Sequence, residues 1–197
     1  MTNIVNYCKN PSAEVNVTDD WSFLGDGSRN LDATQYKVGT KSCRLRAGTI
    51  ATSNRTTTGV SVPNGASVSA SGWVRCSADP TGGKSYIFLV EETWTFGESV
   101  AATVASNGAW EYLTATYTNT SGGPLTMKLW CDNLFNDSAA DVWFDACQLE
   151  LAPAASAYTD GAQGEGHSWA GAAHNSVSTW TEPASVGFVT VIPYMMV

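Results

Sequence analysis

Charge is scarce in this chain of 197 residues: 14% are Asp, Glu, Lys or Arg, and only ten are basic. A phosphate-binding surface needs clustered Lys and Arg to release counterions. Here they are scattered, which excludes nucleic acid as the expected partner. The net charge of −8 disfavours adsorption to anionic membranes, so no membrane partner is expected either. The opening residues, Met1 to Tyr7, lack a basic region followed by an apolar stretch, and no secretory signal is read there. No run approaches the roughly 18 apolar residues of a spanning helix. The expectation is a protein made in the cytosol and not exported by a visible signal.

Catalytic and metal signatures are equally sparse. There are two histidines, no H-E-x-x-H and no C-x-x-C, so zinc is not expected. No serine sits in a nucleophile elbow and no carboxylate–histidine pair marks a triad. Glu91 and Glu92 are adjacent in a predicted strand and point to opposite faces, so they cannot be a facing glycosidase pair. Glu92 with Glu98 or Asp132 stays open. The chain is read as a non-enzyme. Five cysteines, Cys8, Cys43, Cys76, Cys131 and Cys147, are far apart. An odd number cannot all pair within one chain. They are read as small, buried, reduced strand residues, with one internal bridge in an oxidising medium left open and its pair unassigned.

Helical periodicity is hard to find, whereas strand alternation is common. Val68, Ala70, Gly72 and Val74 share one face of Ser67–Arg75. Ser67, Ser69, Ser71, Trp73 and Arg75 share the other. Leu125, Met127, Leu129 and Cys131 alternate with Thr126, Lys128 and Trp130. Val142, Phe144 and Ala146 alternate with Trp143, Asp145 and Cys147. Leu113, Ala115 and Tyr117 follow the same rule after Trp110. Further strands are expected at Ile4–Lys9, Ser42–Ala47, Thr57–Val62, Ser85–Thr93, Glu98–Ala105 and Gly187–Tyr194. Turns are expected at Gly25-Asp-Gly27, Pro63-Asn-Gly65, Asp79 to Gly83, Ser106-Asn-Gly108 and Ser121 to Pro124. Many short strands so punctuated predict an all-β sandwich or barrel.

Composition changes after Glu150. Residues 1–151 are read as the sandwich. Residues 152–197 are read as a C-terminal appendage, a Gly-rich hairpin followed by an apolar strand that packs on the sandwich or on a neighbouring subunit. An uncovered apolar end would be a sticky edge, so Val186, Phe188, Val189, Val191, Ile192 and Tyr194 are the expected assembly interface.

Two segments carry a family resemblance. Asn6-Tyr-Cys-Lys-Asn-Pro-Ser-Ala-Glu14 with Trp21 resembles the opening of jelly-roll carbohydrate-binding modules. Val38 to Leu45, Val68-Ser-Ala-Ser-Gly-Trp-Val-Arg75, Trp110-Glu-Tyr-Leu and Val142 to Glu150 resemble their later strands in order. Tyr158-Thr-Asp160-Gly161, continuing through Trp169-Ala-Gly and His174-Asn175-Ser176-Val-Ser, is similar to the ending of such modules in tailed-bacteriophage minor tail proteins. The resemblance spans roughly residues 3–180. It implies a jelly roll with a structural hairpin at Tyr158, Asp160, Gly161, Trp169, His174, Asn175 and Ser176. It implies a multicopy or homo-oligomeric virion protein, assembled in the host cytoplasm among other virion proteins. It also implies a structural Ca²⁺ held by Glu14 and Asp145. Carboxylates and carbonyls at strand ends suit that ion. The alternative is that Glu14 caps turn amides and Asp145 faces solvent.

Sugar sites stack flat aromatic faces against pyranose C–H groups and flank them with amides and carboxylates. Trp73, Trp94, Trp130 and Trp143 fall opposite the predicted apolar face. With Tyr86, Glu92 and Asn133 they are expected to line a concave sheet that binds host cell-wall glycan. The alternative is that these rings bury against loops or a partner subunit. The functional expectation is a tail-associated virion surface protein with a carbohydrate-binding module. The other reading is a capsid or tail decoration protein without sugar binding.

Overall fold

A computed structural model of the chain describes residues 3–82, 84–135, 140–174 and 176–182. It contains fourteen strands: β1 (Asn3–Asn6), β2 (Trp21–Leu24), β3 (Ser28–Asp32), β4 (Ser42–Arg46), β5 (Thr52–Thr56), β6 (Val60–Val62), β7 (Ser67–Cys76), β8 (Ser85–Glu91), β9 (Gly97–Ala101), β10 (Glu111–Thr118), β11 (Leu125–Asn133), β12 (Asp141–Glu150), β13 (His167–Trp169) and β14 (Ser178–Thr181). Among the described residues a single 3-10 turn, Val104–Ser106, interrupts them. Among the described residues no helix is long and apolar enough to cross a membrane.

The strands form a jelly-roll β-sandwich. One sheet has the order β10-β7-β12-β4-β3, and the other has the order β2-β5-β11-β8-β9 with β6 also paired to β11. Alternation decides what lies between them. Val68, Ala70, Val74, Leu45, Val142, Phe144 and Leu113 face inward from the first sheet, and Ile87, Leu89, Met127, Leu129 and Cys131 meet them from the second. The turns expected at Asn64-Gly65 and Asn107-Gly108 are present. Gly65 and Gly108 have φ of 82° and 70°, a left-handed conformation that glycine adopts without steric cost.

Local polar bonds override several expected boundaries. The strand expected from Thr57 does not start until Val60. The Thr57 and Thr58 hydroxyls each donate to Asp20 Oδ1 at 2.6 Å, which pulls that stretch out of the ladder. The strand expected to reach Ala105 stops at Ala101. Beyond it, Thr103 Oγ1 and N donate to the Glu111 carboxylate at 2.6 and 2.8 Å. The strand expected to reach Lys9 stops at Asn6, whose Oδ1 captures Cys8 N at 3.0 Å.

A third sheet, β1-β14-β13, contains the expected hairpin. β14 pairs antiparallel with both β1 and β13. The N-terminal strand therefore belongs to the same sheet as the appendage. Asn6 ties this sheet to the sandwich. Its Nδ2 donates to Cys147 O and Thr159 O at 3.1 and 3.0 Å, and its Oδ1 also accepts from Leu149 N at 3.1 Å. The apolar segment Val186, Phe188, Val189, Val191, Ile192 and Tyr194 lies outside the described residues, as does Asn175.

Candidate glycan-binding face

Along β11 the core residues Leu129 and Cys131 force Lys128, Trp130 and Asp132 onto the outer face of the six-stranded sheet. The same parity puts Tyr86, Phe88 and Val90 of β8 outside, because Ile87 and Leu89 are core. Register then builds cross-strand rows. One row is Ser22, Arg55, Trp130, Phe88 and Ser99. The next is Leu24, Ser53, Asp132, Tyr86 and Ala101. Direct partners of this kind have Cβ atoms about 5 Å apart, close enough for large side chains to touch.

The rings form one connected strip. Tyr86 and Phe88 have centroids 5.0 Å apart, Phe88 and Trp94 5.6 Å, and Trp94 and Trp130 4.5 Å with near-perpendicular planes. Trp94 comes from the loop between β8 and β9 and folds back over Trp130. Trp94 is 48% exposed and Trp130 only 5%, so the ring a ligand first meets is Trp94. This residue has φ of 60°, a conformation uncommon for a bulky side chain. Glu91 holds it there. Its carboxylate accepts from Thr93 N at 2.7 Å, Thr93 Oγ1 at 2.6 Å and Thr95 N at 2.7 Å. Beside the loop lies an open depression of ≈ 260 Å³, lined by Phe88, Val90, Trp94, Phe96, Glu98 and Ser99 among others.

Polar groups border the strip. The Arg55 guanidinium lies over the Trp130 ring at 4.8 Å and donates to Glu92 Oε1 at 3.2 Å. Lys128 Nζ pairs with Glu92 Oε2. The hydrogen bond and charge of Lys128, and then the charge of Arg55, hold the Glu92 carboxyl below its ordinary range. Asp132 differs. Burial pushes its carboxyl up to about 6, against a hydrogen bond from Ser53, and its Oδ1 is buried without a partner. The face thus offers flat rings and one cation–carboxylate cluster. That arrangement can stack a sugar and bond its hydroxyls.

The expected set is split between two surfaces. Tyr86, Trp94, Trp130 and Glu92 come together here. Trp73 and Trp143 lie on the outer face of the other sheet, since Val74, Val142 and Phe144 fill its inner face. Trp73 packs on Tyr112 with centroids 5.2 Å apart and carries Lys37 Nζ over its ring at 4.0 Å. Trp143 is buried and donates Nε1 to Asp32 Oδ2 at 3.0 Å. Asn133 is turned inward, donating to Leu45 O and Ala140 O at 2.9 and 3.1 Å. Phe88, Arg55 and Lys128 are additions. Tyr86-Ile-Phe88 has the spacing that would have flagged Phe88. Arg55 and Lys128 enter only through cross-strand register.

The calcium expectation does not fit the groups present. Glu14 Oε1 accepts from Thr40 N and Lys41 N at 2.8 and 3.2 Å, and Oε2 accepts from Thr40 Oγ1 at 2.7 Å. Asp145 Oδ2 accepts from Lys37 N and Val38 N at 2.6 and 2.9 Å, and Oδ1 from Ala146 N at 2.6 Å. Both carboxylates therefore meet N–H groups where an oxygen-seeking cation needs carbonyls. Among the described residues no three His, Cys, Asp or Glu side chains are placed to share a metal. Glu14 caps turn amides, and Asp145 is fully buried rather than solvent-facing. Burial, opposed by its amide donors and reinforced by Glu14, pushes the Asp145 carboxyl up to about 7. The two carboxylates staple loop 37–41 to the sandwich.

In the hairpin, Tyr158 OH donates to Asp160 Oδ2 at 3.0 Å, and Ser176 Oγ accepts from Gly171 N at 3.0 Å. A Cβ on Gly161 would stand 2.5 Å from the Trp169 ring. The Trp169 and His174 rings touch at a tilt of 54°, with centroids 5.0 Å apart.

No family model matches the chain. No curated protein matches it either. Similar solved structures exist at low identity. A Family 16 carbohydrate-binding module aligns with TM-score 0.58 and 17% identity, covering 73% of this chain and 99% of that one. A Stig cyclase from Fischerella sp. aligns with TM-score 0.60 and 11% identity, over 78% and 100%. The enzymatically active domain of bacteriophage CBA120 tailspike protein 4 aligns with TM-score 0.50 and 11% identity, over 75% of this chain and 21% of that one. The architecture shared with these proteins is the jelly-roll sandwich of carbohydrate-binding modules.

Proposed function

We propose that the outer face of the six-stranded sheet binds glycan, with Trp94, Tyr86 and Phe88 as stacking surfaces and Glu92 and Arg55 as hydrogen-bonding groups. The observation that carries this reading is the unbroken ring strip from Tyr86 to Trp130 beside an open depression. Aromatic rings with a few convergent polar groups are what small-ligand sites use. The fold's likeness to a carbohydrate-binding module supports it. Of the carboxylates on this face, Glu92 is held by two cations, which disfavours its acting as an acid or base with Glu98 or Asp132. The role is binding rather than catalysis.

The context we propose is the surface of a bacteriophage tail, where the glycan is part of the host cell wall. Two observations support it: the hairpin sequence from Tyr158 to Ser178, and a fold also used by a tailspike domain. Many copies on one particle make a weak single site effective through high local concentration. The test is binding to purified host cell wall or a glycan array. Trp94→Ala and Tyr86→Ala should each weaken binding at least about tenfold, or about 1.4 kcal/mol, while Trp73→Ala leaves it unchanged. Undiminished binding by both of the first two variants would remove this face from the function.

A second reading, an assembly or decoration subunit without sugar binding, rests on the apolar sequence from Val186 to Val197. Deleting residues 186–197 decides it. A truncated chain that still enters virions at full occupancy rules that segment out as the anchor.

A further inference from the structure

Cys131 projects inward from β11 and Cys147 from β12 of the facing sheet, and their sulfurs stand 3.9 Å apart. We propose that Cys131 and Cys147 are an oxidation site, closing an inter-sheet disulfide when the protein meets a peroxide. A disulfide sulfur pair is about 2.05 Å apart, so the sulfurs must approach by about 1.9 Å. The two strands belong to opposite sheets, so the bond pins the halves of the sandwich together. It also fixes the strand that carries the ring strip, because Cys131 lies between Trp130 and Asp132.

A small cavity of ≈ 10 Å³ adjoins the pair, lined by Cys43, Cys131 and Cys147 with Trp21, Asn54 and Pro11 among others. That is room for about one water-sized molecule, so hydrogen peroxide needs the lining to give slightly and bulky disulfides are excluded. Residues Asn10 to Val17 cover the cavity, so opening of this segment is the route of entry. Burial holds the Cys131 thiol far above its ordinary range. The reactive thiolate is therefore rare, and oxidation is slow until the cover opens.

The step balances without any other reagent. One thiolate of the pair attacks peroxide, breaks the O–O bond and becomes a sulfenic acid as hydroxide leaves. The second thiolate attacks that sulfur, and a second hydroxide leaves. The two thiol protons convert the hydroxides to water. The thiols lose two electrons, and one peroxide is reduced to two waters.

Cys43 is the competitor, since it borders the same cavity. It sits on β4, beside β12 in the same sheet, so its bond to Cys147 would not join the two sheets.

The full chain is treated with hydrogen peroxide in mild denaturant, quenched, alkylated and mapped by mass spectrometry. Thiols should fall from five to three, with one peptide linking positions 131 and 147. The unfolding temperature should rise by roughly 6–12 °C. Cys43→Ser should still form the bond, and Cys131→Ser and Cys147→Ser should not. Five surviving thiols, loss of thiols without a crosslink, or a bond mapped to Cys43 or Cys8 would overturn the proposal.

Discussion

At the scale of single residues, buried acids divide by what donates to them. Asp32 and Asp132 are both nearly inaccessible. Burial raises both, yet Asp32 ends at about 2, because Thr34 Oγ1, Trp143 Nε1 and the amides of Thr34 and Gln35 all donate to it. Its folded value lies below its unfolded one. It therefore contributes stability above about pH 4 that is lost as pH falls through about 2, on the order of 2 kcal/mol. Asp32→Asn should be less stable than the parent at pH 6, and the gap in unfolding free energy should close between pH 4 and 2. A gap independent of pH would refute that account. Asp132 has only Ser53 and rests at about 6. Its unpartnered oxygen is buried, so the shortage of donors acts on the carboxyl itself and not on a ligand.

At the scale of elements, loop 92–96 and the hairpin are both shaped by side chains that answer to backbone. Glu91→Gln replaces one acceptor oxygen with a donor facing amide N–H groups. Trp94 should lose its fixed position, and glycan affinity should drop several-fold with the sandwich intact by circular dichroism. The hairpin depends on Gly161 because the Trp169 ring occupies the place of a Cβ. Gly161→Ala should loosen β13 and β14, read as faster proteolysis after residue 160 with little change in the main unfolding transition. Both elements were only partly legible. Alternation marked β7, β11 and β12, although a bulge between Asp145 and Gln148 breaks the expected pattern of β12 and turns Cys147 into the core. It missed β3 and β5, Ser-Arg-Asn-Leu-Asp and Thr-Ser-Asn-Arg-Thr, because neither carries an apolar stripe: β5 is held between β2 and β11, and β3 is an edge strand paired to β4.

At the scale of the whole molecule, two buried amides hold the third sheet to the sandwich. Asn6 makes four hydrogen bonds with no exposure. Gln148 donates to Glu150 and Ser156 at 2.8 and 2.9 Å and accepts from Thr159 N at 2.7 Å. Each unpaired buried polar group costs about 1–3 kcal/mol. Asn6→Asp turns two donors into acceptors that face the carbonyls of Cys147 and Thr159. It should lower the unfolding free energy by at least about 2 kcal/mol in denaturant titration. A loss below 1 kcal/mol would show that the two sheets hold together without it.

The sequence by itself determined the all-β class, the long core strands and the Gly turns, because period-two alternation and left-handed glycines are local properties. It also named Trp94, Trp130, Tyr86 and Glu92. Only the tertiary structure decided that Trp73 and Trp143 belong to the opposite surface, since each strand shows its own two faces but not which sheet it joins. The same limit explains Glu14 and Asp145. The resemblance implied a cation there, but the N–H groups on Glu14 come from a loop more than twenty residues away, and two of the three on Asp145 come from that loop, more than a hundred residues away. Pairing across such distances is set by the closing of two sheets over one core, and no local pattern encodes it.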